Sequence, residues 1–319
     1  MAEDLPDAGE RTLIAQEVLR QVPGGAPTAI RPLRGGSLNR SFHLSTSAGE
    51  FVVRLSPAPD AWLAADRSVE HELHRLAAEA DLAPRIVAAD TQGHWLITEF
   101  LAGRLWTAGD FSSPDSLLRL AESLRRLHAL PAPAAGRFDL LLALEGYVRR
   151  LAPRGEIPQL AGVPTVAAGG QLLSAAERAW QRCGAGTRPP AILHHDLHAS
   201  NLIESGRGLR LIDWECAAVS DPLLDVACIL SYYPQARIHA ALLLQHSGLG
   251  GVTPAQLAAA LWLFDLHTLL WYRERRQRLI PTEAERQAEQ RLAAQVAQGV
   301  PRNLDIPPAH GPWAAGAGR

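Results

Sequence analysis

Short apolar runs alternate with polar, glycine-bearing turns along the chain from about residue 29 to residue 100. β-Branched and aromatic residues are frequent in these runs, as is typical of strands. A stretch between Ala61 and Ala80 has the wider spacing of a helix instead. The pattern predicts a small β-rich region with one inserted helix, and the predicted strands are TAIRPL, SFHLS, FVVRLS, RIVAA and HWLITEF.

From about Pro114 onward the spacing is that of helices, and the leucines of LLRLAESLRRLHAL recur at i, i+3 and i+7. Two short strand-like runs interrupt it, AILHH and NLIESGRGLRLIDWE, and the second predicts a hairpin that turns at Gly206 and Gly208. The predicted fold class is therefore α+β. We expect a β-rich lobe over residues 1–101 and a larger, mostly α-helical lobe over residues 102–319 that ends in a loosely ordered tail.

The length of the chain favours a bilobed protein with a cleft, and its charge favours a small-molecule partner. A chain of 319 residues suffices for two lobes, and its net charge of −2, with both signs interspersed, does not attract nucleic acid. The start, MAEDLPDAGE, lacks the basic and apolar parts of a secretion signal. The longest apolar stretch, AALWLFDLHTLLWY, is too short for a membrane span. We expect a cytoplasmic protein without nucleic-acid or membrane partners.

The absence of lysine restricts the possible chemistry, because all 31 basic residues are arginine. Schiff-base and lysine general-base catalysis are excluded. The GxxxxGK[ST] phosphate loop is excluded for the same reason, so another device must hold any nucleotide. Three separated cysteines, Cys183, Cys216 and Cys228, form neither a CxxC pair nor a disulfide framework, which favours reduced thiols without a chemical role.

The strongest chemical signal is the run HHDLHASN at residues 194–201, followed by Asp213 twelve residues after Asn201. Phosphoryl transfer to an alcohol requires a carboxylate that accepts the hydroxyl proton, and oxygen donors that hold Mg²⁺ on the phosphates. Asp196, Asn201 and Asp213 supply these groups from one short loop and from just beyond a hairpin, so they can converge. The motif predicts a phosphotransferase.

Three other interpretations of this motif remain open. The histidines of HHDLH could belong to a zinc-dependent hydrolase, although the rest of the sequence offers neither a CxxC pair nor an HExxH helix. The loop could also be polar without any chemistry. A catalytically inactive, kinase-like binding module would lack Asp196, Asn201 or Asp213, and all three are present. We expect His194 to support the loop through hydrogen bonds and not to carry protons.

With these residues, the chain resembles the aminoglycoside phosphotransferase and choline kinase superfamily, the small-molecule relatives of protein kinases. The resemblance extends over most of the chain and is closest to bacterial thiamine kinase and choline kinase. It implies a bilobed protein-kinase-like fold, with ATP and Mg²⁺ as cofactors and a small-molecule hydroxyl as acceptor. The segments that carry it are LRGGSLNRSF, FVVRL, ITEFLAG, SLRRLHAL, HHDLHASN, LIDWE, SDPLLDVA and WLFDLHTLLWYRER.

The resemblance also implies roles for individual residues of the large lobe. It makes Asp196 the catalytic base, Asn201 and Asp213 magnesium ligands, and Glu215 an additional ligand or a support for one. Asp225 would brace the catalytic loop by accepting backbone hydrogen bonds. The residues implied as supporting are His194, His198 and Asp225.

In the small lobe, the glycine-containing turn between two predicted strands permits close approach to phosphate oxygens, although an ordinary hairpin turn would use the same residues. Arg54 stands where protein kinases carry a phosphate-contacting lysine, and a guanidinium can also bind phosphate oxygens. Its expected partner is Glu70, with Glu72 as the alternative. The predicted nucleotide-binding residues are Gly35, Gly36, Ser37, Asn39, Arg54 and Glu70, and the backbone of Glu99 and Leu101 for adenine.

The identity of the acceptor is the least determined part of the prediction. Thiamine, followed by choline or a related amino alcohol, is expected, because a fixed positive charge favours aromatic faces and a carboxylate. Asp265, Trp262, Trp271 and Tyr272, with Phe264, could supply both from one helix, although such a stripe is also typical of a core. The alternative acceptors are a sugar or an aminoglycoside, and the basic segment WYRERRQR disfavours the polycationic aminoglycoside.

Overall fold

A computed structural model describes residue 21 and residues 27–33, 39–56, 67–90, 93–161 and 168–304. The chain forms two compact units, Met1–Thr107 with His198–Ala218 and Ala108–Leu197 with Val219–Arg319. The sequence suggested a single division after residue 101. The difference arises because strand pairing joins the segment after His198 to the N-terminal part of the chain. The tail beyond residue 304 lies outside the described residues.

The first unit contains an antiparallel five-stranded sheet in the order β1-β2-β3-β5-β4. All five strands expected from the sequence are present. Side chains alternate along β2, so that Phe42 and Leu44 point into the core with Val53 and Ile97 of neighbouring strands. The strands are β1 Ala29–Leu33, β2 Arg40–Thr46, β3 Gly49–Leu55, β4 Ile86–Ala89 and β5 Trp95–Glu99.

Helix α1, Arg67–Glu79, is the inserted helix of this unit. Its buried residues recur at helical spacing and include two polar side chains, Glu70 and His74. The ring of His74 lies 2.8 Å from the Pro84 carbonyl and stacks on Trp214 at 5.8 Å between ring centroids. Burial lowers the pKa of His74 to about 4, so this side chain is neutral at pH 7. The stacked pair joins α1 to the turn that follows Asp213.

A second, three-stranded sheet completes the first unit, with β6 (Gly103–Leu105), β8 (Leu202–Ser205) and β9 (Gly208–Leu211) in the order β6-β8-β9. β8 and β9 form the hairpin that the sequence predicted. A Cβ atom on Gly103 would lie 2.5 Å from the Glu204 carbonyl oxygen, so only glycine permits this approach.

The second unit is mostly helical, and a short pair of strands, β7 (Ala191–Leu193) and β10 (Ala218–Ser220), precedes and follows the segment of the chemical motif. The helices are α2 Pro114–His128, α3 Leu140–Leu151, α4 Ala168–Arg182, α5 Leu223–Tyr232, α6 Ala240–His246, α7 Pro254–Arg275 and α8 Glu283–Ala297. None of the helices in the described ranges combines the length and apolarity that a membrane span needs.

Helix α7 is buried on most sides by α3, α4, α5 and α8. The Trp262 indole N–H donates to the Val296 carbonyl at 3.2 Å. Asp265 is 4% exposed and hydrogen-bonds to the Ser231 hydroxyl. Burial raises the pKa of Asp265 to about 6, although the Ser231 hydrogen bond and the positive charges of nearby arginines oppose the shift. The core of this unit therefore contains a carboxyl group that is costly to ionise.

We predict that Asp265→Asn stabilises the protein at neutral pH. The pKa of Asp265 is raised from 3.8 to about 6, so the wild type loses stability as the pH rises from about 4 through 6, whereas the amide does not ionise. The free energy of unfolding of the variant should exceed that of the wild type by up to about 3 kcal/mol at pH 7.5, and by roughly half as much at pH 5. Denaturant titrations at both pH values measure this difference in the free energy of unfolding. A difference that is the same at both pH values would contradict the prediction.

Candidate active site

The residues proposed from the sequence lie in both units. In the first unit they come from β3, α1, the turn after β5 and the hairpin region. In the second they come from the loop after β7 and from α5 and α7. The first unit holds Asn39, Arg54, Glu70, Glu99, Leu101, His198, Asn201, Asp213 and Glu215, and the second holds His194, Asp196, Asp225, Trp262, Asp265, Trp271 and Tyr272.

Arg54 is the central cation of the first unit. Its guanidinium, buried on β3, lies 2.5 Å from Glu70 and 3.4 Å from Asp213. Burial alone would lower the pKa of Arg54, but the carboxylates of Glu70, Asp213 and Glu215 raise it above its ordinary value. Glu70, and not Glu72, is therefore the helix glutamate that pairs with this arginine. The ion pair holds Arg54 beside Asp213.

A second arginine, Arg67, which the sequence reasoning missed, completes the network. Its guanidinium lies 2.6 Å from the second oxygen of Glu70 and 3.6 Å from Glu215. Burial would raise the pKa of Glu70, but Arg54 and Arg67 hold it below its ordinary value. Glu215 also accepts a hydrogen bond from the Asn39 amide at 2.7 Å. The i, i+3 spacing of Arg67 and Glu70 in DRSVE was the available signal.

Asn201 and Asp213 are brought together through the main chain. The Asn201 carbonyl accepts the N–H of Ile212 at 2.9 Å, and the Asn201 N–H donates to His198 at 2.9 Å. Asp213 then adopts a left-handed backbone conformation with φ of 63°, which is unfavourable for a residue with a side chain. The buried indole of Trp214 follows and donates to Leu211 at 3.0 Å. This anchored turn holds the strained Asp213.

The donors in this network suit magnesium and phosphate. Asn201, Asp213 and Glu215 offer only amide and carboxylate oxygens, which are the ligands that Mg²⁺ prefers. Within the described ranges, no group of three or more His, Cys, Asp or Glu could hold a metal ion, so a metal here would need the amide oxygen or a ligand from outside the chain. Arg54 Nε and Asn39 Oδ1 are buried without a hydrogen-bond partner among the described residues. Gly35, Gly36 and Ser37 lie outside the described residues.

The segment after β5, predicted to contact adenine, is tied to its neighbours by the main chain. The N–H of Glu99 donates to Arg85 at 2.9 Å, and the N–H of Phe100 donates to Glu50 at 3.0 Å. The Glu99 carboxylate also accepts hydrogen bonds from Arg85. The adenine-binding role of Glu99 and Leu101 stays a prediction.

Asp225 organises the loop of Asp196 in the second unit. This fully buried carboxylate accepts the backbone N–H of His195 at 2.9 Å and of His194 at 3.3 Å, and it lies 2.9 Å from the ring of His128. Burial would raise the pKa of Asp225, but these donors lower it below its ordinary value. His195 has a left-handed φ of 65°. The carboxylate thus stabilises a strained turn immediately before Asp196.

Asp196 has a hydrogen-bond donor that the sequence did not reveal, because the Tyr232 hydroxyl donates to Asp196 Oδ1 at 3.2 Å. Cys228, on the same helix as Tyr232, lies 3.3 Å from the N–H of Leu197. Both residues follow Asp225 at helical spacing, which was the only signal in the sequence.

Five rings, which we call the ring cluster, pack together around His195, the residue before Asp196. Centroid distances run from 5.0 Å between Phe138 and His195 to 5.9 Å between His195 and His267, and Tyr147 lies 5.6 Å from His267. Burial lowers the pKa of His267 to about 3 and also lowers the pKa of His195, so both rings are uncharged at pH 7. The members of the ring cluster are Phe138, Tyr147, His195, Phe264 and His267.

The predicted acceptor residues are divided between two faces of α7. Trp262 and Asp265 are buried in the core, where they contact Val296 and Ser231, so their position argues against a direct contact with an acceptor. Trp271 and Tyr272 are partly exposed. Burial, followed by the negative charges of Glu285 and Asp196, raises the pKa of Tyr272.

Comparison with known proteins decides what kind of site this is. Residues 29–262 match the family described as phosphotransferase enzyme family. The chain belongs to this family. A thiamine kinase of Shigella boydii serotype 4 (strain Sb227) is 29% identical over 231 residues, which are 72% of this chain and 74% of that protein.

Solved structures show the same fold. Choline kinase LicA from Streptococcus pneumoniae superposes with a TM-score of 0.71 at 18% identity and covers 91% of this chain and 99% of its own. A thermostable mutant of aminoglycoside phosphotransferase APH(4)-Ia, in a ternary complex with AMP-PNP and hygromycin B, has a TM-score of 0.63 at 17% identity, with 90% and 99% covered.

The family assignment confirms the predicted α+β, protein-kinase-like fold and the predicted enzyme class. The chain is a phosphotransferase of the small-molecule kinase type. A zinc-dependent hydrolase is set aside by this assignment.

We predict that Glu70→Gln destabilises the protein, because the substitution leaves two partly buried arginines without their shared carboxylate. The expected loss is about 3 kcal/mol at pH 7. The pKa of Glu70 is lowered from 4.5, so the loss should be complete above about pH 4.5 and should shrink as the pH falls below it. Urea titrations from pH 7 to pH 3 measure the difference.

Glu72→Gln is the matched control for that experiment, since it makes the same chemical change on a neighbouring, partly exposed position of α1. It should change the free energy of unfolding by less than about 0.5 kcal/mol. Equal losses in the two variants would show that the pairing with Arg54 and Arg67 is not what stabilises α1.

Proposed function

We propose that this protein is an ATP- and Mg²⁺-dependent kinase that phosphorylates the hydroxyl group of a small cationic alcohol, with thiamine as the first candidate. The observation that carries the proposal is the uncharged ring cluster beside the loop of Asp196. The thiamine kinase relative and the AMP-PNP complex of a structural relative support the same conclusion.

The chemical step needs a proton acceptor, and Asp196 is the proposed base. Its carboxylate takes the proton of the acceptor hydroxyl as the oxygen attacks the terminal phosphorus of ATP, and ADP leaves. Asp225 fixes the backbone just before Asp196 through two N–H groups, so the base projects from a fixed main-chain position.

The first unit supplies the groups proposed to hold the nucleotide. Asn201 and Asp213 would bind Mg²⁺, which neutralises phosphate charge when it is bound, and Glu215 is placed by Asn39 to ligate it or to orient a ligand. The Nε of Arg54 is buried without a hydrogen-bond partner among the described residues, and the guanidinium is proposed to contact a phosphate oxygen when the nucleotide binds. The remaining nucleotide contacts are proposed for Gly35, Gly36, Ser37, Asn39 and the backbone of Glu99 and Leu101.

The electrostatics beside Asp196 favour an acceptor with one positive charge. The two histidines of the ring cluster are neutral at pH 7, so no imidazolium there repels a cation. Aromatic faces attract quaternary nitrogen, and Tyr147, Trp271 and Tyr272 are partly exposed. Choline is the second candidate acceptor. A sugar or an aminoglycoside is the alternative, and the polycationic aminoglycoside would require acidic groups that the ring cluster lacks.

We predict that Asp196→Asn lowers kcat by about 10²–10⁴-fold, because the amide cannot accept the proton. The affinity for Mg·ATP should stay within a few-fold of the wild type, since the base contributes to the transition state and not to nucleotide binding. Turnover is followed as ADP release, and nucleotide affinity by calorimetric titration without acceptor. Retention of most of the wild-type kcat would show that another group is the base.

We predict the order thiamine, choline, ethanolamine, sugars and aminoglycoside when kcat/KM is measured with Mg·ATP across these acceptors. A cation on a desolvated aromatic face gains about 2 kcal/mol, or roughly thirtyfold. The matched control is 3,3-dimethylbutan-1-ol, the uncharged isostere of choline, which should be roughly thirtyfold poorer than choline. Preference for a neutral sugar over both cations would contradict the acceptor proposal and leave the phosphotransfer chemistry standing.

A further inference from the structure

One face of α5 contacts the loop that carries the proposed base, through residues at three positions along the helix. Asp225, Cys228 and Tyr232 follow one another at i, i+3 and i+7, which places them on the same side of the helix. Asp225 accepts two backbone N–H groups of the loop. One turn later, Cys228 Sγ lies 3.3 Å from the N–H of Leu197 and 3.8 Å from the His195 carbonyl. These two residues fix only the main chain.

Tyr232, at the end of this face, is the one that reaches the reacting side chain. Its hydroxyl donates to Asp196 Oδ1 at 3.2 Å. The ring is itself held from α7, because its centroid lies 5.8 Å from that of Phe264 in an edge-on contact. A hydroxyl on a packed ring has little freedom, so it can define where the carboxylate oxygen lies.

We propose that Tyr232 is a positioning residue that fixes the rotation of the Asp196 carboxylate for attack by the acceptor hydroxyl. The proposal rests on the role of Asp196 as base. Asp225 acts on the backbone of the loop, whereas the hydrogen bond of Tyr232 acts on the carboxylate itself. A hydrogen bond to one carboxylate oxygen restricts the rotation of the group, and proton abstraction depends steeply on such geometry.

Tyr232→Phe tests the proposal, since it keeps the packed ring and removes only the hydroxyl. We expect kcat to fall about tenfold with the best acceptor of the panel above, because hydrogen bonds to charged groups are among the stronger ones. KM for ATP should remain within about twofold, because the residue acts on the base and not on the nucleotide. A purely structural role would instead lower the melting temperature and leave kcat of the folded enzyme unchanged.

Tyr233→Phe is the matched control, because it removes the hydroxyl of the next residue, whose ring stacks on Phe111 at 3.6 Å. Its kcat should stay within about twofold of the wild type. In the Asp196→Asn background, Tyr232→Phe should lower the residual turnover by less than about twofold, since no base remains to be oriented.

Any of the following outcomes would overturn the proposal. An unchanged kcat in Tyr232→Phe, an equal loss in Tyr233→Phe, or a full tenfold loss in the Asp196→Asn background would exclude the positioning role while Asp196 remained the base. High turnover in Asp196→Asn alone would overturn the assignment of the base, and the role of Tyr232 with it.

Discussion

A fully buried carboxylate, Asp225, orders the segment on which the proposed chemistry depends. An ionised group without exposure is tolerated only when hydrogen-bond donors surround it. His128 and two backbone N–H groups provide these donors, and they also hold the pKa of Asp225 low. The stabilisation is mutual: the backbone N–H groups of the left-handed turn at His195 stabilise the buried carboxylate, and the carboxylate stabilises the turn.

The first unit also contains a buried carboxylate, Glu70, and arginines balance its charge because the chain has no lysine. A guanidinium keeps its charge at all physiological pH values and offers several donors, so Arg54 can contact Glu70 and Asp213 together. Arg67 occupies the other oxygen of Glu70 and approaches Glu215. Two cations are thus shared among three carboxylates, an arrangement in which moving any one group changes the electrostatic environment of the others.

Much of the fold could be predicted from the sequence, because the strands of the first unit alternate and its helix α1 has a regular apolar stripe. The short motif around Asp196 also indicated a phosphotransferase from the sequence alone. Tyr232 was missed because its contact with Asp196 is tertiary, and the same holds for the approach of Arg67 to Glu215. Helix α7 has apolar residues on nearly all sides, so its pattern left open whether Trp262 faces the core or an acceptor.

The shared face of α5 also limits how this protein can change during evolution. Each residue of an α-helix turns about 100° from the last, so inserting or deleting one residue between Asp225 and Tyr232 would rotate one of them away from the loop. Substitutions on the other sides of the helix remain acceptable if they pack. Homologous enzymes that use both contacts should therefore keep this interval free of insertions and deletions, even where its composition diverges.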